Sequence, residues 1–137
     1  MRFDTDGKVV RARFIPRPEH GGFHGVTHGG LLTTLLDEIM VWAIAVQVRQ
    51  FAFAAELNIR FVRPAKAEIP LTAMAELIAN RRHRLFEAKS ELSSEAGELL
   101  ASATGKYLPV PREHLGRMRA DLAGDWDSFQ DILGPRP

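Results

Sequence analysis

Cysteine is absent from the 137 residues, which excludes disulfides, thiolate metal sites and a cysteine nucleophile. Neither sign of charge dominates, because 18 basic and 17 acidic side chains leave a formal net charge of +1. The basic residues are scattered apart from Arg81, Arg82 and Arg84, too few for the electrostatic footprint of a DNA or RNA binder. The residues before the first expected strand are also too few for a DNA-binding helix pair. No uninterrupted apolar run reaches membrane-spanning length. The opening MRFDTDGKVV lacks a signal-peptide core, and the apolar stretch from Leu31 to Val48 is broken by Asp37, Glu38 and Gln47. The expectation is a cytoplasmic protein without a membrane segment. Internal repeats and low-complexity linkers are missing as well. A composition of 45% hydrophobic and 26% charged residues suits a globular chain, and the length suits a single domain over residues 1–137. Its expected core runs from about residue 8 to 110, with 111–137 as a helical extension carrying Leu115, Met118, Leu122, Trp126, Phe129, Ile132 and Leu133.

What is present is concentrated in HGVTHGGLLTTLLDEIMVWAIAV, residues 24–46, where a His-Gly-Gly turn runs into an apolar helix with one acidic pair. At about 100° per residue, Leu31, Leu32, Leu35, Leu36, Ile39, Met40, Trp42, Ala43 and Val46 form one broad face. The opposite side should be polar, yet Asp37 sits there among Thr33, Thr34, Met40, Val41, Ile44 and Val48. A helix apolar nearly all round is buried all round. A carboxylate on its second face is then partly desolvated, and such a group has either a structural partner, from hydroxyls or an Arg, or a chemical task. Glu38 projects next to Leu31 and Trp42 at the edge of the apolar face and reads as solvated or ion-paired.

Around the helix the pattern is of strands. Lys8 to Phe14 is a short β-like segment, followed by a loop rich in Pro, His and Gly from Ile15 to Thr27. Phe51, Phe53, Ala55, Leu57, Ile59 and Phe61 alternate with Ala52, Ala54, Glu56, Asn58, Arg60 and Val62, which predicts a strand with a strict period of two. Pro64 to Pro70 is a connection, Leu71 to Ala79 alternates again, and NRRH at 80–83 is a turn. Arg84 to Ser93 and Leu99 to Leu108 are strands joined by the EAGE hairpin at 95–98. Four consecutive strands with short loops imply an antiparallel sheet, and the order strand, long buried helix, strands gives an α+β class in which the sheet covers the helix.

The segments GGFHGVTHGGLLTTLLDE, AAELNIRFVRPAKAEIPL and GELLASATGKYLPVP resemble the hotdog-fold acyl-CoA thioesterases of the PaaI, or phenylacetate-degradation, type over roughly residues 8 to 111. The resemblance implies a hotdog fold, an antiparallel sheet wrapped around a long central helix, and hydrolysis of an acyl-CoA thioester without metal or organic cofactor. It gives Asp37 the role of general base or nucleophile, and gives the backbone N–H groups of Gly29 and Gly30 that of polarising the thioester carbonyl. The physics agrees, since these glycines open the helix, where orphan N–H donors and the helix dipole favour an oxyanion. His28 is either a general acid or a ring that anchors the turn by hydrogen bonds. His20, His24 and His28 share a loop, but without a spaced carboxylate partner they make no zinc site, and no metal is expected.

Two positions depart from the family pattern. A loop Asn or Gln six or seven residues before the HGG histidine is replaced by Gly21 and Gly22, and a Thr or Ser early in the strand after the helix corresponds to Ala54. His24 and Asn58 are the candidates to take over substrate binding. For the CoA phosphates the candidate cations are Arg81, Arg82 and Arg84 at a hairpin turn, or Arg63 and Lys66 flanking Pro64. Phe23, Met40, Trp42 and Phe53 are read either as walls of an acyl tunnel or as core. Other functions fit less of this pattern: a hotdog protein that binds acyl-CoA without hydrolysing it, favoured by Gly22 and Ala54, and a hotdog dehydratase, disfavoured because Trp42 stands five residues after Asp37. The second apolar side of the helix needs a cover, which a symmetric partner in a homodimer, or in a homotetramer built from such dimers, would provide.

Overall fold

The helix that the sequence places at the centre is there, in a computed structural model that describes residues 2–111 and 113–115. Helix α1 runs over Gly29–Val48 after the strands β1 (Arg2–Thr5) and β2 (Val9–Phe14) and a 3₁₀ turn at Pro18–His20. Then follow β3 (Ala52–Phe61), β4 (Leu71–Arg81), β5 (Leu85–Ser94) and β6 (Leu99–Pro109). Of the expected helical tail, Pro111 lies outside any helix, residues 113–115 are helical, and the rest lies outside the described residues. All six strands form one antiparallel sheet in the order β1-β2-β4-β5-β6-β3. This is the hotdog architecture: α1 packs against strands β2 to β6 and the sheet curls around it.

By length and composition α1 could cross a membrane, but Leu36, Ile39, Met40, Ala43 and Ile44 are fully buried against Phe86, Leu92, Ala101 and Tyr107 of the sheet, so its apolarity is that of a core helix. Ile44, expected on the side that a partner would cover, is already inside. Val41 and Val48 are half-buried, and Thr34 stays exposed.

Three features differ from the sequence pattern. Strand β1 was not expected; it forms because Asp6-Gly7 makes a tight turn, Gly7 at φ 89° and the Asp6 carboxylate accepting the N–H groups of Lys8 and Val9 at 3.0 and 2.8 Å. Phe3 then reaches the helix, its ring 5.2 Å from that of Trp42, which also meets Phe51 at 6.1 Å. Second, β3 lies beside β6 instead of β4. The connection after β3 packs on the loop preceding α1, where Thr27 and Ala67 donate to Ala65 and Gly25. Third, the register of β3 against β6 shifts between Ala54 and Glu56, so the strict alternation fails at Ala55. Phe53 therefore pairs with Leu108 and is half exposed, while Leu57 and Ile59 turn to the core.

The Asp6 turn yields a pH-dependent expectation. Hydrogen bonds from the Val9 and Lys8 backbone, with Arg11 third, hold the Asp6 carboxyl at about 2, below its ordinary 3.8. A depressed pKa supports the fold above the ordinary value and is lost as pH falls through the depressed one. The amide NMR signals of Lys8 and Val9 are thus expected to move as pH falls from about 3.8 to about 2. Signals fixed through that interval would mean that something else holds the hairpin.

Candidate active site

The turn before α1 accounts for its backbone donors one by one. His28 is the N-cap, and its Nδ1 accepts the N–H of Gly30 at 2.8 Å. The N–H groups of Leu31 and Leu32 both point to the carbonyl of His28, at 3.0 and 3.3 Å, and the N–H of His28 is taken by His20 O at 2.9 Å. Among the described residues, the N–H of Gly29 is left without an acceptor at this end of the helix. The positive end of the helix dipole therefore presents one free donor, at Gly29.

Absence of a side chain matters here through close approach. A Cβ on Gly30 would lie 2.9 Å from Nδ1 of His28 and force the ring off the turn. A Cβ on Gly29 would press at 3.2 Å on the ring tip of Phe61, a half-exposed side chain at the end of β3 that can give way. Thr33 and Thr34 fold their hydroxyls back on the carbonyls of Gly29 and Gly30, at 2.9 and 3.0 Å.

Those hydroxyls are thus not the partners of Asp37. Its Oδ1 accepts instead from the Tyr107 hydroxyl at 2.8 Å, across from β6. Tyr107 is fully buried, and burial first, then the Asp37 carboxylate, pushes the phenol well above its ordinary value, so it stays a protonated donor. Asp37 is half-buried, and its other oxygen, Oδ2, meets no donor among the described residues. Glu38 is exposed and accepts from the indole N–H of Trp42 at 3.0 Å.

The remaining candidates are dispersed. His24 is exposed in the loop at φ 43°. Among the described residues no group of three or more His, Asp or Glu is placed to hold a metal, and His20 is occupied with the Arg17 N–H and stacked on Phe14. Asn58 lies on the outer side of β3, donates to Glu56 at 3.2 Å and borders a shallow depression of about 360 Å³ with Lys89 and Thr104, away from the helix. Arg81 is bound to Glu87 at 2.6 Å, and Arg82 is exposed at positive φ in the β4–β5 turn. That turn sits at the sheet end where Phe86 aligns with Tyr107, opposite the end where Phe61 meets Gly29. Lys66 bridges to Val26 in the loop leading into the His28 turn, and Arg63, three residues earlier in the chain, donates to Leu99 O at 3.1 Å at the start of β6. Met40 and Trp42 belong to the core, whereas Phe23 is 82% and Phe53 50% exposed, so the four aromatic and thioether side chains do not line one tunnel. Ala54 pairs directly with Tyr107, a site residue that sequence reasoning missed.

A six-stranded antiparallel sheet wrapped around one long helix is the hotdog architecture. The Thioesterase superfamily profile matches residues 24–101, more than half of the chain, and the chain belongs to that superfamily. It is a thioester hydrolase. Human acyl-coenzyme A thioesterase 13 is 32% identical over 113 residues, which cover 80% of this chain and 74% of that protein. Among solved structures, the PaaI protein of the Escherichia coli phenylacetic acid degradation operon superposes with a TM-score of 0.73 at 22% identity, covering 80% and 79% of the two chains. A hypothetical thioesterase protein of Streptococcus pneumoniae solved with coenzyme A gives a TM-score of 0.70 at 18% identity, covering 75% and 82% of the two chains. These two structures speak to the fold.

Proposed function

We propose that the protein hydrolyses an acyl-CoA thioester to the free acid and CoA, with Asp37 as general base or nucleophile and the Gly29 N–H polarising the carbonyl. The observation that carries this reading is the Asp37 carboxylate, tied at Oδ1 to Tyr107 and unpartnered at Oδ2 among the described residues. As a base, Oδ2 takes a proton from water while the water oxygen bonds to the carbonyl carbon. The C=O pair moves onto oxygen and faces the Gly29 N–H; the pair returns to re-form C=O as the C–S bond breaks, and the CoA thiolate takes the proton from Asp37, which regenerates the base. An oxyanion donor contributes about 2.7–4 kcal/mol and positioned proton transfer about 10²- to 10⁴-fold in rate. His28 serves by holding the turn, through its bond to Gly30. The acyl-CoA class is drawn from the thioesterase 13 relatives and the CoA-bound neighbour.

The site requires two subunits. Asp37 follows Gly29 by eight residues on one helix, a rise of about 12 Å, too far for both to touch one carbonyl. A two-fold homodimer, alone or paired into a tetramer, places Asp37 of one protomer at the Gly29 turn of the other, in duplicate. Supporting this, β3 is one of the two sheet edges, paired only with β6 among the described residues, and it exposes Ala54, Ala55 and Phe61.

A panel of short, medium, long and aromatic acyl-CoAs, with free thiol as the readout, tests the proposal. Release of thiol from none of them, together with measurable binding, would establish the second reading, an acyl-CoA-binding protein, which the lack of polar side chains at Gly22 and Ala54 favours.

The nucleotide phosphates are proposed to meet Lys66, which bridges to Val26 in the loop before the His28 turn, and Arg63 in the same connection. Replacing both by Ala is expected to raise KM for the CoA thioester several-fold and leave a short N-acetylcysteamine thioester unaffected, since only binding to a remote handle is lost. Equal losses on both substrates would assign the two residues to structure. A KM effect confined to Arg81→Ala with Arg82→Ala would move the handle to the β4–β5 turn.

A further inference from the structure

We infer that Tyr107 is the positioning residue of the Asp37 carboxylate and that Gly105 is the gap in β6 that lets it act. The inference rests on the reading of Asp37 as the base. Tyr107 and Gly105 stand two residues apart on one strand, so they share a face of the sheet. The tyrosine ring lies back over the glycine: a Cβ there would be 2.5 Å from Cε2 and 2.9 Å from the hydroxyl of Tyr107, and 3.0 Å from Leu57. No side chain at 105 is compatible with the ring in this place, and in this place its hydroxyl ends 2.8 Å from Oδ1 of Asp37.

The register explains why the hydroxyl comes from β6. Ala54 is the residue opposite Tyr107, and directly opposed residues of an antiparallel pair point to the same face. Ala54 is also where the resemblance expects a Ser or Thr hydroxyl. The hydroxyl absent from β3 is thus delivered by its cross-strand neighbour. A hydroxyl on a fully buried tyrosine is costly unless bonded, and its one hydrogen-bond partner among the described residues is the carboxylate, so the pair fixes the rotation of Asp37 and leaves Oδ2 for the water.

A purely structural hydrogen bond of similar standing lies one residue away. Buried Ser90 on β5 donates to Leu36 O at 3.1 Å, joining sheet to helix without touching Asp37. It is the control. Tyr107→Phe, which keeps the ring, is expected to lower kcat about 10- to 100-fold with KM for acyl-CoA within about two-fold of wild type, the loss that misplacing a reacting group brings. Gly105→Ala should give the same split by displacing an intact tyrosine. Ser90→Ala should lower the melting temperature at least as much as Tyr107→Phe yet keep kcat. Wild-type kcat in Tyr107→Phe, or an equal kcat loss in Ser90→Ala, would overturn the inference. Asp37→Asn, assayed alongside, separates the two levels. If it is dead while Tyr107→Phe is fully active, the positioning role alone falls; if it is active, the base assignment and the positioning role fall together.

Discussion

Asp37→Asn is expected to remove hydrolysis almost completely, by about 10²- to 10⁴-fold, without unfolding the chain. The amide has nearly the shape of the carboxylate and its oxygen can still accept from the Tyr107 hydroxyl, so the helix–sheet bond survives. What is lost is a group that takes a proton or attacks carbon. Glu38→Gln should cost little, because Glu38 is exposed and engaged with Trp42 one turn on. Circular dichroism and melting check the fold, and thiol release from the best acyl-CoA checks the chemistry. Half or more of wild-type activity in Asp37→Asn would remove Asp37 from the mechanism.

The half-burial of Asp37 was legible in the sequence because a helix reports its own environment. Val41, Ile44 and Val48 make the side that carries Asp37 mostly apolar, so partial desolvation followed from periodicity, and the carboxylate is half-buried. The Gly29–Gly30 turn was legible for a similar reason, since N-terminal donors are orphaned in every helix. Which glycine keeps its donor free was not, because that depends on the rotamer of the His28 ring. Tyr107 was illegible for a different cause: its bond to Asp37 spans 70 residues of sequence, and nothing local announces such a contact. Its position also depended on two features outside the strand pattern, the pairing of β3 with β6 and the bulge at Ala55 that sets Ala54 opposite Tyr107. The period-2 rule named the strand correctly but grouped Phe53 with Leu57 and Ile59, from which the one extra residue separates it. Strand β1 could have been found from Asp6-Gly7, a hairpin dipeptide flanked by Phe3 and Val9.

Gly29→Pro is expected to lower kcat by about 10²- to 10³-fold while leaving α1 intact, an outcome that follows from the place of Gly29 in the helix. It is the first helical residue after the cap, where proline is favoured, and His28 before it is already extended at φ −61° and ψ 133°, as a residue preceding proline must be. The substitution deletes the one free N–H of the turn and breaks no hydrogen bond, and the half-exposed ring of Phe61 can shift to admit the new carbons. Wild-type turnover in Gly29→Pro would show that this N–H does not face the carbonyl. The same variant tests whether sites are shared. In the proposed homodimer, Asp37→Asn and Gly29→Pro chains should each be inactive alone, but a hybrid would join Asp37 of one protomer to Gly29 of the other in one of its two sites, the second site holding both lesions. Random assembly on co-expression makes half of the dimers hybrid, so about a quarter of the sites, and of the wild-type activity, should return. Differentially tagged chains allow the hybrid to be isolated, where the recovery should reach about half. An isolated hybrid as inactive as its parents would mean that Asp37 and Gly29 of the same chain serve the same site, which their separation of about 12 Å along α1 opposes.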